Sequence, residues 1–248
     1  MTTPDRREPN GPIARFFNPL GRYLLPNMSV PVTFLLFFLF NRTRVIGRDA
    51  VPKHRNTLLL SNHQTMIDSF LIAPAAVYPG SLVKPFLIPW HPAAEENFFR
   101  TRFTSWLFAQ FRCIPVARGR RDMRALYRTM RALKSGTLIL FPEGTRSRTG
   151  DVGSGKPGAG LVILGNQPRV VPVAIDGVRD VLPIGSRFPR FGRRVYVYFG
   201  TPMDFSEYED RERSKELAQE IVDAAMDRIR RQHEALRRLR RRKGQSAG

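Results

Sequence analysis

The chain has 248 residues, 42% of them hydrophobic, which is enough for one sizeable α/β domain rather than two. Its single cysteine, Cys113, excludes a disulfide framework, and the sequence has no CxxC or Cys/His cluster of the kind that binds a metal. The 41 Lys and Arg residues against 21 Asp and Glu residues give a formal net charge of +20. This charge favours an anionic partner: acidic lipid headgroups, nucleic acid, an acidic carrier protein or a phosphorylated substrate.

The first predicted element is an apolar segment near the N-terminus. Residues 28–40 carry no charge, but a helix of this length reaches only about 20 Å, against a hydrocarbon core of about 30 Å. The proline and asparagine residues of PNMSVP favour two short helices, at about 12–25 and 30–41, over one long helix. We therefore expect residues 1–44 to dock on a membrane, with burial of this segment in the protein core as the alternative.

The middle of the chain alternates between predicted strands and helices. The strands are predicted at 57–61, 81–89, 113–117, 137–141, 170–175 and 195–200, and the helices at 65–76, 95–111, 121–133 and 159–166. Such an alternation is typical of a mostly parallel sheet flanked by helices. We place this α/β core at residues 45–205.

The C-terminal part, residues 206–248, is predicted to be one long helix followed by a basic tail. Apolar residues recur on one face of the helix, and residues 228–243 hold nine Lys and Arg residues and one Glu. A solvated basic helix is the simplest interpretation of this tail. The charge also suits an electrostatic contact with acidic lipids, and we expect that contact to be separate from any catalytic part.

The first motif, SNHQTMIDSF at 61–70, follows the buried strand 57–61 directly. In an open α/β sheet, ligands bind beyond the carboxyl ends of the strands. There, Asp68 can hold the Nδ1–H of His63 and leave Nε2 free to take a proton. The sequence therefore predicts a general base at this edge of the sheet, beside Asn62.

A second motif, FPEGTRS at 141–147, follows the strand 137–141 and is expected at the same edge of the sheet. Glu143 and Arg146 could simply form an ion pair within the loop. However, Arg118 and Lys156 bring further cations, one just past a strand and the other in the glycine-rich loop 149–160. Three cations and the amides of a tight turn around a His–Asp pair predict a phosphate site beside a general base.

Together these blocks resemble the glycerolipid acyltransferase family typified by lysophosphatidic acid acyltransferase. The resemblance covers about residues 45–203 and rests on NHxxxxD (Asn62-His63 to Asp68), the IPVxR block ending at Arg118, FPEGTRS (141–147) and VPVAIDG (171–177). It implies an α/β fold with, in some members, an N-terminal two-helix element that docks on the bilayer.

The resemblance also implies roles for individual residues. His63 resembles the catalytic base and Asp68 the residue that orients it. Acceptor binding is assigned to Glu143, Gly144, Thr145 and Arg146, with Arg118 as a second phosphate contact, and we add Asn62 and Lys156 to the substrate-binding set. Two positions depart from the family pattern: Arg112 stands where the second block usually begins with Gly, and Ala117 where it carries Asp.

The other histidines, His54, His91 and His233, are expected to be solvated rather than catalytic. His54 and His91 lie beside prolines in predicted loops, and His233 lies in the basic helix. Cys113, within a predicted strand, is expected to be a small buried apolar residue.

The implied reaction is transfer of a fatty acyl group to the free hydroxyl of a lysophosphatidic acid-type acceptor, which gives phosphatidic acid. The donor is a thioester of coenzyme A or of acyl carrier protein, and no metal or further cofactor is expected. We expect a peripheral or monotopic protein at the cytoplasmic face of the cell membrane. Acylation of another lysolipid, with a head group or of the lipoamino acid type, is the first alternative. The second is a catalytically inert basic protein that binds membranes or nucleic acid, although the body lacks a nucleic-acid-binding signature.

Overall fold

The strands lie in two sheets of the computed structural model, which describes residues 12–117, 122–208 and 210–245. The main sheet has five strands in the order β1-β7-β6-β2-β5, and β3 and β4 form a small parallel pair beside it. Their bounds are β1 Arg42–Ile46, β2 Thr57–Ser61, β3 His91–Ala94, β4 Cys113–Val116, β5 Thr137–Leu140, β6 Arg169–Asp176 and β7 Arg194–Phe199.

All pairings in the main sheet are parallel except that of β6 with β7. The prediction of a mostly parallel sheet is therefore confirmed. In particular, β2 lies parallel between β6 and β5, so the carboxyl ends of these three strands point to one edge of the sheet.

Helices cover both faces of the sheet, and the inner strand β2 alternates its apolar side chains between the two cores that they form. Leu59 packs with the helix that follows β2, whereas Leu58 and Leu60 pack on the other face with the helix that precedes β6 and with the C-terminal helix. The α-helices are α1 Pro12–Phe34, α2 Asp68–Val77, α3 Gly80–Val83, α4 Glu95–Phe98, α5 Arg102–Gln110, α6 Met123–Ser135, α7 Pro157–Asn166, α8 Val178–Val181 and α9 Lys215–Gln245. Short 3₁₀ turns lie at Arg48–Ala50, Pro85–Leu87 and Ser206–Tyr208.

The prediction of a strand at 81–89 is wrong. This stretch contains α3 and the 3₁₀ turn Pro85–Leu87, and Val83 is 82% exposed. Pro85 and Pro89 lack the N–H that an inner strand needs, so the chain pairs with the main sheet only at the next residue, where the backbone of Trp90 bonds to β5. β1 and β3, which the sequence pattern did not single out, complete the two sheets.

The N-terminal segment is one helix rather than the two that the prolines predicted. α1 runs through Pro19, Pro26 and Pro31 and continues as a π-helical turn over Leu35–Leu39. Pro26 cannot donate to the carbonyl of Arg22. The guanidinium of Arg112 donates to that carbonyl instead, at 3.2 Å, so a distant side chain replaces the missing helical hydrogen bond.

An apolar stripe lies exposed along this helix. It consists of residues three or four apart, each between 40% and 67% exposed: Leu20, Leu24, Met28, Val32, Leu35 and Leu39. The helix Asn18–Leu39 is long and apolar enough to cross a membrane, and only 11% of its apolar window is buried in the protein. Burial in the core, the alternative interpretation of this segment, applies to Phe37 and its neighbours but not to most of the helix.

The C-terminal helix α9 is part of the fold well into its basic end. Ile229, His233 and Leu236 all lie within the basic stretch 228–243 and are buried, each at most 2% exposed. Arg237 pairs with Asp151 at 2.6 Å, and Arg240 pairs with Asp176 at 3.1 Å. The described part of the tail is therefore anchored to the core, and the prediction that His233 is solvated is wrong.

Candidate active site

His63 and Asp68 form a hydrogen-bonded pair at the turn that joins β2 to α2. His63 Nδ1 lies 2.8 Å from Oδ2 of Asp68. The backbone N–H groups of Gln64 and Thr65 donate to the same carboxylate oxygen at 2.6 and 2.9 Å, and the Thr65 hydroxyl donates to Oδ1 at 2.7 Å. Asp68 is fully buried, whereas the His63 side chain is 16% exposed. The turn thus fixes the carboxylate, and the carboxylate fixes the imidazole with Nε2 as its remaining proton acceptor.

Thr65 supports the His63–Asp68 pair, and it was not among the predicted site residues. It stands three residues before Asp68, and a Ser or Thr in this position ahead of an acidic residue is the pattern of a helix-capping box. Here the carboxylate accepts from the threonine amide and hydroxyl, and it also orients His63. The capping pattern could have identified Thr65 as a support for the pair.

Glu143 connects the second motif to the first. Its Oε1 accepts from the backbone N–H of His63 at 3.0 Å, and the Ser147 N–H donates to the His63 carbonyl at 2.8 Å. Burial raises the pKa of Glu143, and hydrogen bonds from the backbone N–H groups of His63 and Gly153 oppose that rise without cancelling it. The loop ion pair with Arg146 is not formed. Glu143 therefore holds the turn that carries His63.

Arg146 and Lys156 bring positive charge to the same place. Both side chains line a cavity of about 330 Å³ that His63 also lines, which we call the His63 cavity. No carboxylate among residues 12–117, 122–208 and 210–245 pairs with either cation. Gly144 turns the chain with a φ of +67°, and a Cβ atom there would lie 3.1 Å from the Lys156 ammonium. Thr145 is exposed beside it.

The rest of the His63 cavity is mainly apolar. Phe141 stacks on the imidazole of His63 with ring centroids 4.1 Å apart. Among the other apolar side chains of its wall are Phe98, Phe108, Leu126 and Val162. A cavity with a cationic part and an apolar part suits a ligand with a phosphate at one end and a hydrocarbon chain at the other.

A histidine and the only cysteine complete one wall of this cavity. His91 Nε2 lies 3.1 Å from Cys113 Sγ across the β3–β4 pair. Burial lowers the pKa of His91 to about 4 and raises the pKa of Cys113 to about 12, so both groups are neutral at pH 7. The expectation that Cys113 is a small buried residue is confirmed, and the expectation of a solvated His91 is wrong.

Asn62, predicted to bind substrate, is buried between two strands of the main sheet. Asn62 is 1% exposed, and its amide both donates to the Ile175 carbonyl, at 3.0 Å, and accepts from the Ile175 N–H, at 2.9 Å. Both of its polar atoms are thus used in joining β2 to β6, which corrects its assignment to substrate binding. Arg118 lies outside the described residues.

In fold, the chain is similar to the crystal structure of the 1-acyl-sn-glycerophosphate (LPA) acyltransferase PlsC from Thermotoga maritima. The TM-score is 0.64 at 23% sequence identity, over 91% of this chain and 89% of that one. The likeness extends over nearly the whole length of both proteins and defines the fold class.

The sequence is also similar to curated proteins with related names. It is 27% identical over 179 residues to the chloroplastic 1-acyl-sn-glycerol-3-phosphate acyltransferase LPAT1 of Arabidopsis thaliana, covering 71% of this chain and 47% of that protein. It is 25% identical over 186 residues to the 1-acyl-sn-glycerol-3-phosphate acyltransferase of Borreliella burgdorferi, covering 72% and 69%. The chain thus spans about half the length of the plant relative.

Residues 42–176, more than half of the chain, match the model of the acyltransferase family. This segment begins at β1 and ends with β6, so it contains the His63–Asp68 turn and the Glu143–Arg146 loop. The chain belongs to the acyltransferase family.

Proposed function

We propose that the protein transfers a fatty acyl group from an acyl thioester to the free hydroxyl of a lysophosphatidic acid-type acceptor, giving phosphatidic acid. The observation that carries this proposal is the His63–Asp68 pair on the wall of a cavity with two cations and a largely apolar lining. Its support also includes the similarity to the 1-acyl-sn-glycerol-3-phosphate acyltransferases of Arabidopsis thaliana and Borreliella burgdorferi. The donor is the thioester of coenzyme A or of acyl carrier protein.

The proposed reaction needs no covalent intermediate on the protein. His63 Nε2 takes the proton of the acceptor hydroxyl while that oxygen forms a bond to the thioester carbonyl carbon. The tetrahedral intermediate then breaks its carbon–sulfur bond, and the departing thiolate takes the proton back from His63. Asp68 keeps the His63 proton on Nδ1 and stabilises the imidazolium between the two steps.

The two cations of the cavity position the acceptor and take no part in the proton transfer. Arg146 and Lys156 hold the acceptor phosphate so that its hydroxyl lies beside His63, while the hydrocarbon chains occupy the apolar part of the cavity. Fixing two reactants in this way can contribute about 7 kcal/mol or more. Thr145 and Gly144 shape the loop beside the phosphate, and Arg118 is proposed as a further phosphate contact.

A membrane location follows from the substrates and from α1. The acceptor and the product are lipids, and the exposed apolar stripe of α1 offers a surface for the bilayer. The basic surface suits the anionic lipids of a cytoplasmic leaflet, so we place the protein on the cytoplasmic face of the cell membrane.

The test is turnover by the full chain in detergent micelles with a long-chain acyl-CoA and a panel of lysolipids, read by mass spectrometry. His63→Ala should lower kcat by about 100-fold or more, the usual scale for a positioned general base. His54→Ala, at an exposed site outside the cavity, should retain full activity. The proposed mechanism is wrong if His63→Ala keeps the activity of the parent protein. Preferential use of a head-group lysophospholipid or a lipoamino acid would instead select the alternative acceptor.

A further inference from the structure

A second concave site lies beside the His63 cavity and has no part in the mechanism above. It has a volume of about 730 Å³, and we call it the arginine pocket because five arginines line it. These are Arg179, Arg190, Arg237, Arg240 and Arg241. We propose that the arginine pocket binds the phosphate groups of a second ligand, distinct from the acceptor phosphate held near Arg146.

The position of the arginine pocket follows from the order of the strands. Asp176, which ends β6, and Gln64, which follows His63 beyond β2, both line it. The His63 cavity is lined instead by residues at the end of the neighbouring strand β5, such as Phe141. Because β2 lies between β6 and β5, the turn that carries His63 separates two sites at one edge of the sheet.

The arginine pocket carries more positive charge than its own carboxylates balance. Arg240 pairs with Asp176 and Asp180, and Arg237 pairs with Asp151. Within the part of the chain that the structure describes, no carboxylate pairs with the three other members, Arg179, Arg190 and Arg241. Cationic side chains that line a concave surface and have no carboxylate partner favour the binding of an anionic ligand.

The framework of the pocket is ordered by buried polar groups. Gln64 is 1% exposed, and its Oε1 accepts from the backbone N–H groups of Val178 and Arg179 at 3.2 and 3.4 Å. Asp176 is 4% exposed and fixes Arg240. These contacts join the His63 turn to α8 and the end of β6 to α9. The two helices carry four of the five arginines.

Phosphate is the anion that this chemistry recognises best. A guanidinium offers paired N–H donors that match two phosphate oxygens, and several guanidinium groups suit a ligand with more than one phosphate. Two sources have this chemistry. Resting on the proposed function, one is coenzyme A, whose 3′-phosphate and diphosphate arrive with the acyl group. The other is the headgroup of an anionic phospholipid.

The experiment compares two double variants that remove the same charge. The pocket variant combines Arg190→Ala with Arg241→Ala and so removes two arginines that line the pocket. The control variant combines Arg187→Ala with Arg238→Ala, two exposed arginines of the same loop and the same helix that do not line the pocket. Binding to the full-length protein is measured for coenzyme A, for coenzyme A without its 3′-phosphate, and for vesicles of phosphatidylglycerol or of phosphatidylcholine. Thermal unfolding checks that both double variants remain folded.

We expect the pocket variant to weaken coenzyme A binding by about tenfold for each arginine removed and the control variant to leave it unchanged. Removing the 3′-phosphate should weaken binding to the parent protein and have a smaller effect on the pocket variant. If only phosphatidylglycerol binding falls in the pocket variant, the phosphate comes from lipid headgroups. If both double variants change both ligands equally, the arginines act only as general surface charge and the proposal is wrong.

Failure of this proposal can be told from failure of the proposed function. An acyl thioester of N-acetylcysteamine carries no phosphate, so its turnover should be equal in the parent protein and in the pocket variant. Binding of coenzyme A through the arginines without any turnover would leave the pocket intact and remove the acyltransferase proposal. Turnover of acyl-CoA by a pocket variant that binds both coenzyme A and phosphatidylglycerol vesicles as well as the parent protein does would do the reverse.

Discussion

At the scale of single residues, the site depends on how completely the His63 turn is tied down. Asp68 accepts from the backbone and the side chain of Thr65, from Gln64 and from His63, so its orientation is set before any ligand arrives. Glu143 then bonds to the backbone N–H of His63 rather than to Arg146. As a result, the charge of Arg146 is left for the ligand.

Arg146→Ala should therefore impair use of the acceptor more than use of the donor. We expect kcat/KM for lysophosphatidic acid to fall by about tenfold or more, because a charge-assisted hydrogen bond to the phosphate is lost. The KM for acyl-CoA should stay within about twofold. Steady-state kinetics with each substrate varied in turn measures both values.

Arg148→Ala is the matched control for this prediction. Arg148 lies in the same loop, is exposed and does not line the His63 cavity. Equal losses in the two variants, or a loss in Arg146→Ala that falls on the donor alone, would contradict the assignment of Arg146 to the acceptor phosphate.

At the scale of elements, the N-terminal helix shows how a distant residue can decide local structure. Arg112 has a φ of +59°, a left-handed conformation that glycine adopts without strain. The arginine side chain stacks on Trp90 and donates to the carbonyls of Arg22 and Ile88. Burial and the charge of Arg22 lower the pKa of Arg112 to about 10. Arg112 thus joins α1 to the core.

The exposed stripe of α1 gives a prediction about membrane binding. Met28→Gln should weaken partitioning into phosphatidylcholine vesicles by about tenfold, since it removes one large apolar side chain from the contact. Met123→Gln is the control, because Met123 is an exposed methionine of α6, away from the stripe. Vesicle flotation with both variants measures the effect. An equal change in the two would mean that α1 is not the membrane contact.

At the scale of the whole molecule, α9 holds the β6 side of the sheet edge in place. His233 and Arg240 both contact Asp176, at 3.5 and 3.1 Å. Burial alone would raise the pKa of Asp176, but the contact with His233 and the charge of Arg240 outweigh it and lower the pKa below its ordinary value of 3.8. The stability from this carboxylate is therefore present above pH 3.8 and is lost as the pH falls through its lower folded pKa.

Asp176→Asn should lower the free energy of unfolding at pH 7 by about 3 kcal/mol, the scale for breaking a buried ion pair. The difference between the parent protein and the variant should shrink at acid pH, because the parent carboxylate becomes neutral there. Urea unfolding at pH 7 and at about pH 3 measures both values.

Asp151→Asn provides the comparison for a surface pair. Asp151 contacts Arg237 while its side chain is 60% exposed, so its loss should cost less than about 1 kcal/mol. If the two variants have equal stability at pH 7, the contacts of α9 with Asp176 do not hold this part of the fold.

The features that could be predicted from the sequence are those that depend on residues close together in the chain. His63 and Asp68 are five residues apart on one strand-to-helix turn, so their contact is local. The meeting of that turn with the Glu143–Arg146 loop followed from a general rule, because the ends of parallel strands share one edge of the sheet. The alternation of strands and helices likewise gave the fold class.

The features that could not be predicted from the sequence are those formed by contacts between distant segments. In the N-terminal helix, the carbonyl of Arg22 accepts a hydrogen bond from Arg112, ninety residues away in the chain. The arginine pocket needs α9 to return to the end of β6, which brings Arg240 to Asp176 across sixty-four residues. Local patterns carry no information about such pairs, since the free energy that forms them comes from burying side chains of separate elements against each other.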